Sequence, residues 1–363
     1  MANNGNRLFV AAGIKHSFAI KDGSLFAWGY NHMGQLGLGD QYVMYVPLRV
    51  GKRDDWEQVS TAGARTLGIC GGELYAWGYE GPPLGLRSSG DIRHPSRVGS
   101  RSDWQYISTS TGHSLGIAGG NLFAWGRNVS GKLGIEDPSA HPSLIYDPVQ
   151  VGDFSDWEKV SAGRYHSLGI RAGRLYWWGS FAQNPQESHL PKRVFQPKEI
   201  GEVSGWTDIS AGPGFSLAIC EGQIFCWGKN DFKQLGFKGS PSEEGPALLE
   251  GRVGWSNISA AGTRSSGISN GRLFLWGEDR TPQVIHRPER DNAPALNQTG
   301  PLYSPAAIDD NFDWEAVSLG GSHILAIRNG TVFAWGGNTT YQLGTCDTAD
   351  RVTPTEVRFP KAL

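Results

Sequence analysis

Four histidines recur at one position of a repeated phrase, and they are the side chains best suited to chemistry. They are His16, His113, His166 and His323. The other three copies carry Arg65, Phe215 and Arg264 at this position. A ring of imidazoles could bind a metal ion or transfer protons. Because equivalent positions of a circular repeat are spread among its units, the pattern favours a structural role over a shared site.

Other signatures of catalysis are missing from the sequence. No paired carboxylates, Ser/His/Asp arrangement or phosphate-cradling loop recurs near the histidines, and "GQLGLG" (34–39) lacks the lysine and helix start of a phosphate loop. The cysteines form no Cys-x-x-Cys pair, which predicts free thiols. They are Cys70, Cys220, Cys226 and Cys346. The sequence therefore predicts a protein that is not an enzyme, with no catalytic residue, no metal and no cofactor.

Two sets of tryptophans keep a fixed spacing. The first set ends phrases such as "LFAWG" and comprises Trp28, Trp77, Trp125, Trp178, Trp227, Trp276 and Trp335. The second set lies 21 residues earlier in six copies and comprises Trp56, Trp104, Trp157, Trp206, Trp255 and Trp314. Such regularity favours core packing over stacking on a sugar or a base. Trp177 is an extra tryptophan that alternation places opposite Trp178, where packing between units or exposure are both open.

Each repeat predicts four short strands. "DWEKVSAG" and "HSLGI" give the first two, and dipeptides such as the "DG" of "KDGS" place residues where a primed two-residue turn needs positive φ. "LFAWG" is the third strand, and "VPLRVG" is the fourth, with its proline at an edge. Four strands without a helix form a propeller blade. Residues 1–363 are therefore predicted to form one all-β, seven-bladed propeller domain, with repeat modules ending at the first tryptophan set.

The ends of the chain predict how the ring closes. The first copy begins at "RLFVAAG" with no "P-x-x-V" strand before it, and the last finishes with "TPTEVRF" (353–359). We expect the C-terminal strand to pair with the N-terminal strands and complete a shared blade, which would remove exposed sheet edges.

The residues after the first tryptophan set resemble a known repeat. "WGYNHMGQLGLGD" (28–40), "WGRNVSGKLG" (125–134), "WGKNDFKQLG" (227–236) and "WGGNTTYQLG" (335–344) resemble the regulator of chromosome condensation family. The resemblance covers essentially the whole chain and implies a seven-bladed propeller. In style the repeat is more similar to bacterial or phage versions than to the animal protein.

The resemblance leaves several functions open, since one fold hosts many activities. The namesake promotes nucleotide exchange on the GTPase Ran and binds chromatin through a basic tail, and this chain has neither that tail nor an obvious wedge-like insertion. A plant UV-B photoreceptor of the family uses Gly-Trp-Arg-His-Thr motifs. The corresponding "AGARTLGI" and "AGTRSSGI" contain no tryptophan, which argues against light sensing.

Divergent loops predict where a protein partner binds. The distance from the first tryptophan set to the next tryptophan of the second is 27 or 28 residues in most copies, but 38 after Trp276, where the "GQLG" phrase is lost. Long loops on a rigid scaffold usually carry binding, although drift in a surface loop is the alternative. The predicted partner-binding residues are Arg280, His286, Arg287, Glu289, Arg290, Phe181, His32 and Tyr30.

We therefore expect a non-enzymatic protein–protein interaction module or a structural component of a larger assembly. One alternative is an exchange factor for a small GTPase, and another is a phage virion or bacterial surface component involved in attachment. The net charge of −2 without a basic block predicts no nucleic-acid partner. No signal peptide and no membrane span is visible, which predicts a cytoplasmic or virion-associated protein.

Overall fold

Seven antiparallel sheets of four strands form a ring, as the repeat predicts. The computed structural model describes residues 8–135, 143–181, 193–238, 245–278, 283–284, 297–298 and 302–360. In each sheet the strands pair with their neighbours along the chain, and the first strand lies innermost. We number these sheets as blades 1 to 7 in chain order.

Blades 1 to 4 have the following strands. Blade 1 contains β1 (Leu8–Ala12), β2 (His16–Lys21), β3 (Ser24–Tyr30) and β4 (Val43–Arg49). Blade 2 contains β5 (Trp56–Ala62), β6 (Arg65–Cys70), β7 (Glu73–Gly78) and β8 (Ile92–Arg97). Blade 3 contains β9 (Trp104–Thr109), β10 (His113–Ala118), β11 (Asn121–Arg127) and β12 (Leu144–Gln150). Blade 4 contains β13 (Trp157–Ala162), β14 (His166–Arg171), β15 (Arg174–Gly179) and β16 (Val194–Ser204).

Blades 5 to 7 follow the same plan. Blade 5 contains β17 (Trp206–Ala211), β18 (Phe215–Cys220), β19 (Gln223–Gly228) and β20 (Ala247–Leu248). Blade 6 contains β21 (Trp255–Ala261), β22 (Arg264–Ser269), β23 (Arg272–Gly277) and β26 (Leu302–Ala307), with a separate ladder of β24 (Gln283–Val284) and β25 (Asn297–Gln298). Blade 7 contains β27 (Trp314–Leu319), β28 (His323–Arg328), β29 (Thr331–Gly336) and β30 (Arg351–Glu356). Single 3₁₀ turns span Pro82–Leu84 and Val129–Gly131.

The antiparallel order sorts the connections onto two faces. Turns between the first and second strands of a blade lie at one end of the sheet, together with the loops between its third and fourth strands. We call this end the top face. The second-to-third-strand hairpins and the links between blades lie at the other end, the bottom face. Post-tryptophan loops and glycine turns therefore share one face, as the sequence predicts.

The bottom hairpins adopt the predicted primed turns. In blade 1 the two turn residues, Asp22 and Gly23, have φ of 50° and 75°, and the equivalent pair has positive φ in every blade. The carbonyl oxygen of the second residue accepts a bond from the next blade, as between Trp56 N and Gly23 O at 3.0 Å. Each such hairpin thus closes its own blade and ties it to the following one.

Tryptophans of both sets form the core of the blades. Trp56 and Trp77 meet edge to face at 5.8 Å, and Gly68 lies against them, where a Cβ would come within 2.5 Å of the Trp56 ring. Trp177 is 8% exposed and stacks on Phe181 at 5.2 Å, so the extra tryptophan is packed in the core. The fixed spacing is therefore architectural.

Ring closure differs from the expected shared blade. The C-terminal strand β30 pairs with β29 of its own blade, and β1 pairs with β2, so blades 1 and 7 are each built from contiguous chain. The reason is that the first copy already holds four strands, β1 to β4, and leaves no position for a strand from the C-terminus. Blades 7 and 1 instead meet by packing, at an interface we call the seam.

The remaining structural expectations concern cysteines and membranes. Three of the four free cysteines are buried and Cys346 is exposed. Within the described ranges, no helix has the length and apolar character needed to cross a membrane, and no cluster of three or more metal-ligating side chains is found.

A candidate protein-binding face

The recurring histidines lie between blades. At the seam, His323 Nε2 is 2.8 Å from Ser17 Oγ, whose hydroxyl donates to Gln342 O at 2.7 Å. Because serine has a single proton to donate, the histidine must donate through Nε2. His113 repeats this contact with Ser167 of the next blade at 2.7 Å. These bonds give the histidines the structural role that the repeat favours.

The "GQLG" phrase supplies the acceptor for this contact. Gln342 O also accepts the indole N–H of Trp28 at 2.9 Å. Lys132 O likewise accepts from Trp178 Nε1 at 2.9 Å and from Ser167 Oγ at 2.8 Å. In each of these two loops a single carbonyl therefore holds two donors of the following blade, and we call this set of bonds the interblade belt.

Burial keeps the histidines neutral. It lowers the pKa of His16, His166 and His323 to about 3 and that of His113 well below its ordinary value. Nearby cations, Lys132 for His113 and Arg264 for His323, lower the pKa further. Groups held neutral and fully buried stabilise the ring and do not face a ligand.

Above the belt, the centre of the top face is a shallow depression of about 610 Å³. All seven blades contribute to it through their glycine-containing first turns, so its wall is largely backbone and small side chains. Four larger side chains also line it, from blades 1, 4, 5 and 7: Ile14, Arg164, Pro213 and Leu319. A surface of this kind favours contact with a protein over a small polar molecule, because it offers shape with few convergent polar groups.

Beside Ile14, an aromatic ladder crosses the top of blade 1. The rings of Tyr30 and His32 stack with centroids 6.0 Å apart, and His32 stacks on Tyr42 at 5.3 Å. Lys15 Nζ lies 5.8 Å from the Tyr30 ring. Tyr42 is 64% exposed, so the outer ring of the ladder faces solvent.

The ladder continues onto the seam through a second aromatic pair. Tyr45 of β4 meets Tyr341 of the blade 7 loop edge to face, with centroids 4.5 Å apart, and Tyr45 remains 52% exposed. Ile14 is 47% exposed at the inner end. We call these side chains, together with the ladder, the aromatic surface. It comprises Ile14, Lys15, Tyr30, His32, Tyr42, Tyr45 and Tyr341.

The predicted partner-binding residues fall into three groups. Tyr30 and His32 stand together in the aromatic surface. Phe181 is 2% exposed and lies against Trp177 and His166 in the interior, so it stands apart from any surface. The polar residues of the blade 6 loop lie outside the described residues. They are Arg280, His286, Arg287, Glu289 and Arg290.

Sequence reasoning missed Tyr42, Tyr45 and Tyr341. A signal was present in "QYVMYVPL", where tyrosines flank the buried Met44 at the start of an outer strand. Tyr341 comes from the far end of the chain and reaches Tyr45 only because the ring closes. Because Tyr45 and Tyr341 lie near opposite ends of the chain, the sequence alone does not reveal their contact.

Comparison with known proteins agrees with the geometry. A sequence model of the regulator of chromosome condensation (RCC1) repeat matches residues 22–67, 119–170 and 329–363. These matched segments are RCC1 repeats. Human WBSCR16 has the same fold as this RCC1-repeat protein, with a TM-score of 0.77 and 21% identity over 93% of this chain and 95% of the other.

Other relatives extend the comparison. Prp20p of Saccharomyces cerevisiae superimposes with a TM-score of 0.76 and 21% identity, covering 98% of this chain and 88% of that one; its structure was described with its binding to Gsp1p and histones. The ultraviolet-B receptor UVR8 of Arabidopsis thaliana is 28% identical over 182 residues, 47% of this chain and 41% of that protein. The Ras guanine nucleotide exchange factor C of Dictyostelium discoideum is 39% identical over 75 residues, 19% of this chain and 5% of that protein. The matches thus span less than half the length of these two curated relatives.

Proposed function

We propose that this RCC1-repeat protein is a non-enzymatic interaction module that docks a partner protein on its top face. The aromatic surface over blade 1 and the seam is the central contact. The observation that carries the proposal is the Tyr30–His32–Tyr42 ladder, three stacked rings left at the protein surface. Clustered tyrosines contribute a large share of binding energy in protein interfaces because they bury much area at low entropy cost.

The long loop of blade 6 forms the second part of the proposed surface. It leaves the top end of β23 at Glu278 and returns at Leu302, and its short ladder β24–β25 lies beside β30 of blade 7. Strand β24 of this loop thus reaches the outer strand of blade 7. We include Arg280, His286, Arg287, Glu289 and Arg290 as a polar rim to the aromatic surface, in the arrangement that interfaces commonly show.

Similar propellers support a binding role. Prp20p was described with its binding to Gsp1p and histones, and again in a complex with Kap60. In this chain the belt bonds several of the buried polar groups, whereas the aromatic surface has no structural role that requires its exposure. A partner would complete its burial.

The test is affinity capture from the native host with three purified baits. They are the unmodified protein, the triple variant Tyr30→Ala/His32→Ala/Tyr42→Ala, and Phe312→Ala, which removes an exposed aromatic ring from the bottom face. A partner should be captured by the first and third baits and reduced about tenfold or more with the triple variant. Thermal unfolding of each bait checks that the fold is intact. Equal capture by all three baits would overturn the proposal.

Two further arms separate the parts of the proposal. Replacing residues 279–300 with a short Gly/Ser linker should weaken capture without unfolding the ring, and unchanged capture would remove the blade 6 loop from the surface. Nucleotide release from a fluorescently loaded Ras-type GTPase tests the exchange-factor alternative, which the match to a Ras exchange factor motivates. Acceleration of release would replace the scaffold role with exchange activity.

A further inference from the structure

A second feature of the top face lies across the ring from the aromatic surface, between blades 3 and 4. In the loops of blades 1, 5 and 7, a glutamine side chain closes the "GQLG" turn: Gln35 Oε1 accepts from Met33 N at 2.9 Å. Gln234 and Gln342 repeat this bond with Phe232 N and Thr340 N. Blade 3 has Lys132 at this position, and an ammonium cannot accept a hydrogen bond.

The substitution leaves the blade 3 loop less well satisfied than its equivalents. Ser130, in the same turn, has φ of 78°, and its Oγ is buried without a hydrogen-bond partner, as is Nδ2 of Asn128. Lys132 O nonetheless keeps its two bonds in the interblade belt. The backbone carbonyl of Lys132 thus keeps its place in the interblade belt, while its side chain no longer closes the turn. Departures from a repeat's local hydrogen-bonding pattern occur most often at functional sites.

The Lys132 ammonium is held between two blades. The side chain is 5% exposed, and Nζ donates to Arg164 O of blade 4 at 3.3 Å. Gly112 makes room for it, because a Cβ there would lie 2.4 Å from Nζ. Burial, followed by the charges of Arg127 and Arg164, lowers the pKa of Lys132 to about 8, so the group still carries its charge at pH 7.

Arg127 and Arg164 place two exposed guanidinium groups close to this ammonium. Within the described part of the chain, neither forms an ion pair, and Lys132 forms none. The arginines of the bottom face differ, since Arg53 and Arg101 each lie 2.7 Å from a carboxylate two residues away. The top of blades 3 and 4 therefore holds a concentrated positive charge that the described chain does not neutralise.

We propose that Arg127, Lys132 and Arg164 form a docking site for a carboxylate-rich segment of a protein partner. The exposed guanidinium groups contact the carboxylates directly, in the fork geometry that arginine offers. Lys132 supplies a fixed charge behind them, where burial limits screening by salt. The site rests on the proposed binding role only in that the acidic segment belongs to a protein, and it lies apart from the aromatic surface.

The test is fluorescence anisotropy with a labelled peptide of eight glutamates, and with eight glutamines as the neutral probe. The glutamate peptide should bind the unmodified protein, with affinity falling as salt rises, and Arg127→Gln/Arg164→Gln should weaken binding roughly tenfold or more. Lys132→Gln, which restores the residue of the other loops, should weaken it several-fold, and Gly112→Ala should act similarly by displacing the ammonium. Lys198→Gln, which removes an exposed charge from blade 4, is the matched control and should bind normally.

Each alternative outcome is decisive. Equal binding by the unmodified protein and the double variant, or no binding at all, would overturn the site. Binding of inorganic phosphate in calorimetry without binding of the glutamate peptide would show a free-oxyanion site and overturn the protein segment. The aromatic triple variant should retain the peptide, so loss of partner capture and loss of acidic docking appear in different proteins.

Discussion

The seam between blades 7 and 1 and its neighbour between blades 6 and 7 are bonded differently at the top face. At the seam the belt is complete, with Ser17, Trp28 and His323 all bonded across the interface. Between blades 6 and 7 the bottom bond is present, from Trp314 N to Gly271 O at 2.9 Å.

The top of the interface between blades 6 and 7 has changed on both sides. The loop after Trp276 lacks the "GQLG" phrase that supplies the belt's acceptor, and blade 7 has Ile324 where the belt needs a hydroxyl. Blade 6 has Arg264 in place of the histidine, and its Nη2 donates to Gly320 O at 2.9 Å. Departures from the repeat are thus matched across an interface. At this position the sequence has therefore changed on both sides of one interface, rather than within a single blade.

Acidification should separate the two interfaces most strongly. His323 lies at the seam and His16 of blade 1 contacts Thr61 of blade 2, and their pKa of about 3 lies below the value of about 6.5 expected when unfolded. The unfolded chain therefore binds more protons, so stability is complete above pH 6.5 and falls as pH drops towards 3. Each buried histidine costs about 1.4 kcal/mol of unfolding free energy per pH unit in this window.

Denaturant unfolding at pH 7 and pH 5 measures this effect, and amide hydrogen exchange locates it. We expect β1 and β2 to lose protection before β27, because the interface between blades 6 and 7 has Arg264 in place of the histidine. His323→Phe places the residue of blade 5, Phe215, at this position. It should reduce the pH dependence of the unfolding free energy by the contribution of one histidine, about 1.4 kcal/mol per pH unit. A stability that stays flat between pH 7 and pH 5 would contradict the neutral, buried state.

Alanine in the bottom hairpins gives the next largest contrast. In Gly271→Ala the new Cβ would lie 1.9 Å from Phe312 O at a φ of 76°, whereas in Gly173→Ala at 65° its nearest neighbour, Gly205 N, would lie 3.5 Å away. We expect roughly 3 kcal/mol or more of destabilisation for the first and about 1 kcal/mol for the second, from positive φ alone. Matched chemical denaturation curves make the comparison, and equal losses would show that the close approach of Phe312 O adds nothing to the cost of positive φ.

Ser17→Ala should cost less than Gly271→Ala, about 1–3 kcal/mol, because it leaves the His323 N–H buried without an acceptor. The double variant Ser17→Ala/His323→Phe should lose less than the sum of the two single variants, since the two residues share one bond. Additive losses in the same unfolding assay would mean that the belt contact contributes nothing as a pair.

Much of this architecture could be predicted from the sequence because the repeat is local. Strand alternation, primed turns such as Asp22–Gly23 and the two tryptophan sets need only short-range patterns. The seam could not be read in the same way, since the contact between Tyr45 and Tyr341 depends on where the ring closes. Phe181 lies on a divergent loop yet is buried, because hydrophobic packing under the blade 5 turn overrides loop position.

The binding residues were partly accessible for the same reason. Tyr30 and His32 follow a tryptophan of the first set and so could be placed on the top face. Lys132 was overlooked because "GKLG" differs from "GQLG" by a single residue. The role of that lysine becomes visible only beside Arg164 of the next blade. When a residue's partner lies in the next blade, the role of that residue can be recognised only by considering both repeats together.

The contiguous seam gives the molecule a defined mechanical weak point. Near the bottom of the seam, Leu8 and Phe359 line one groove of about 430 Å³, and no strand of one end is woven into the sheet of the other. Tension applied between these ends would load the packing and the individual hydrogen bonds that cross the seam, such as Gly321 N to Gly13 O, rather than a strand ladder. We expect the ring to open at the seam while all seven blades stay folded, and to close again when the force is released.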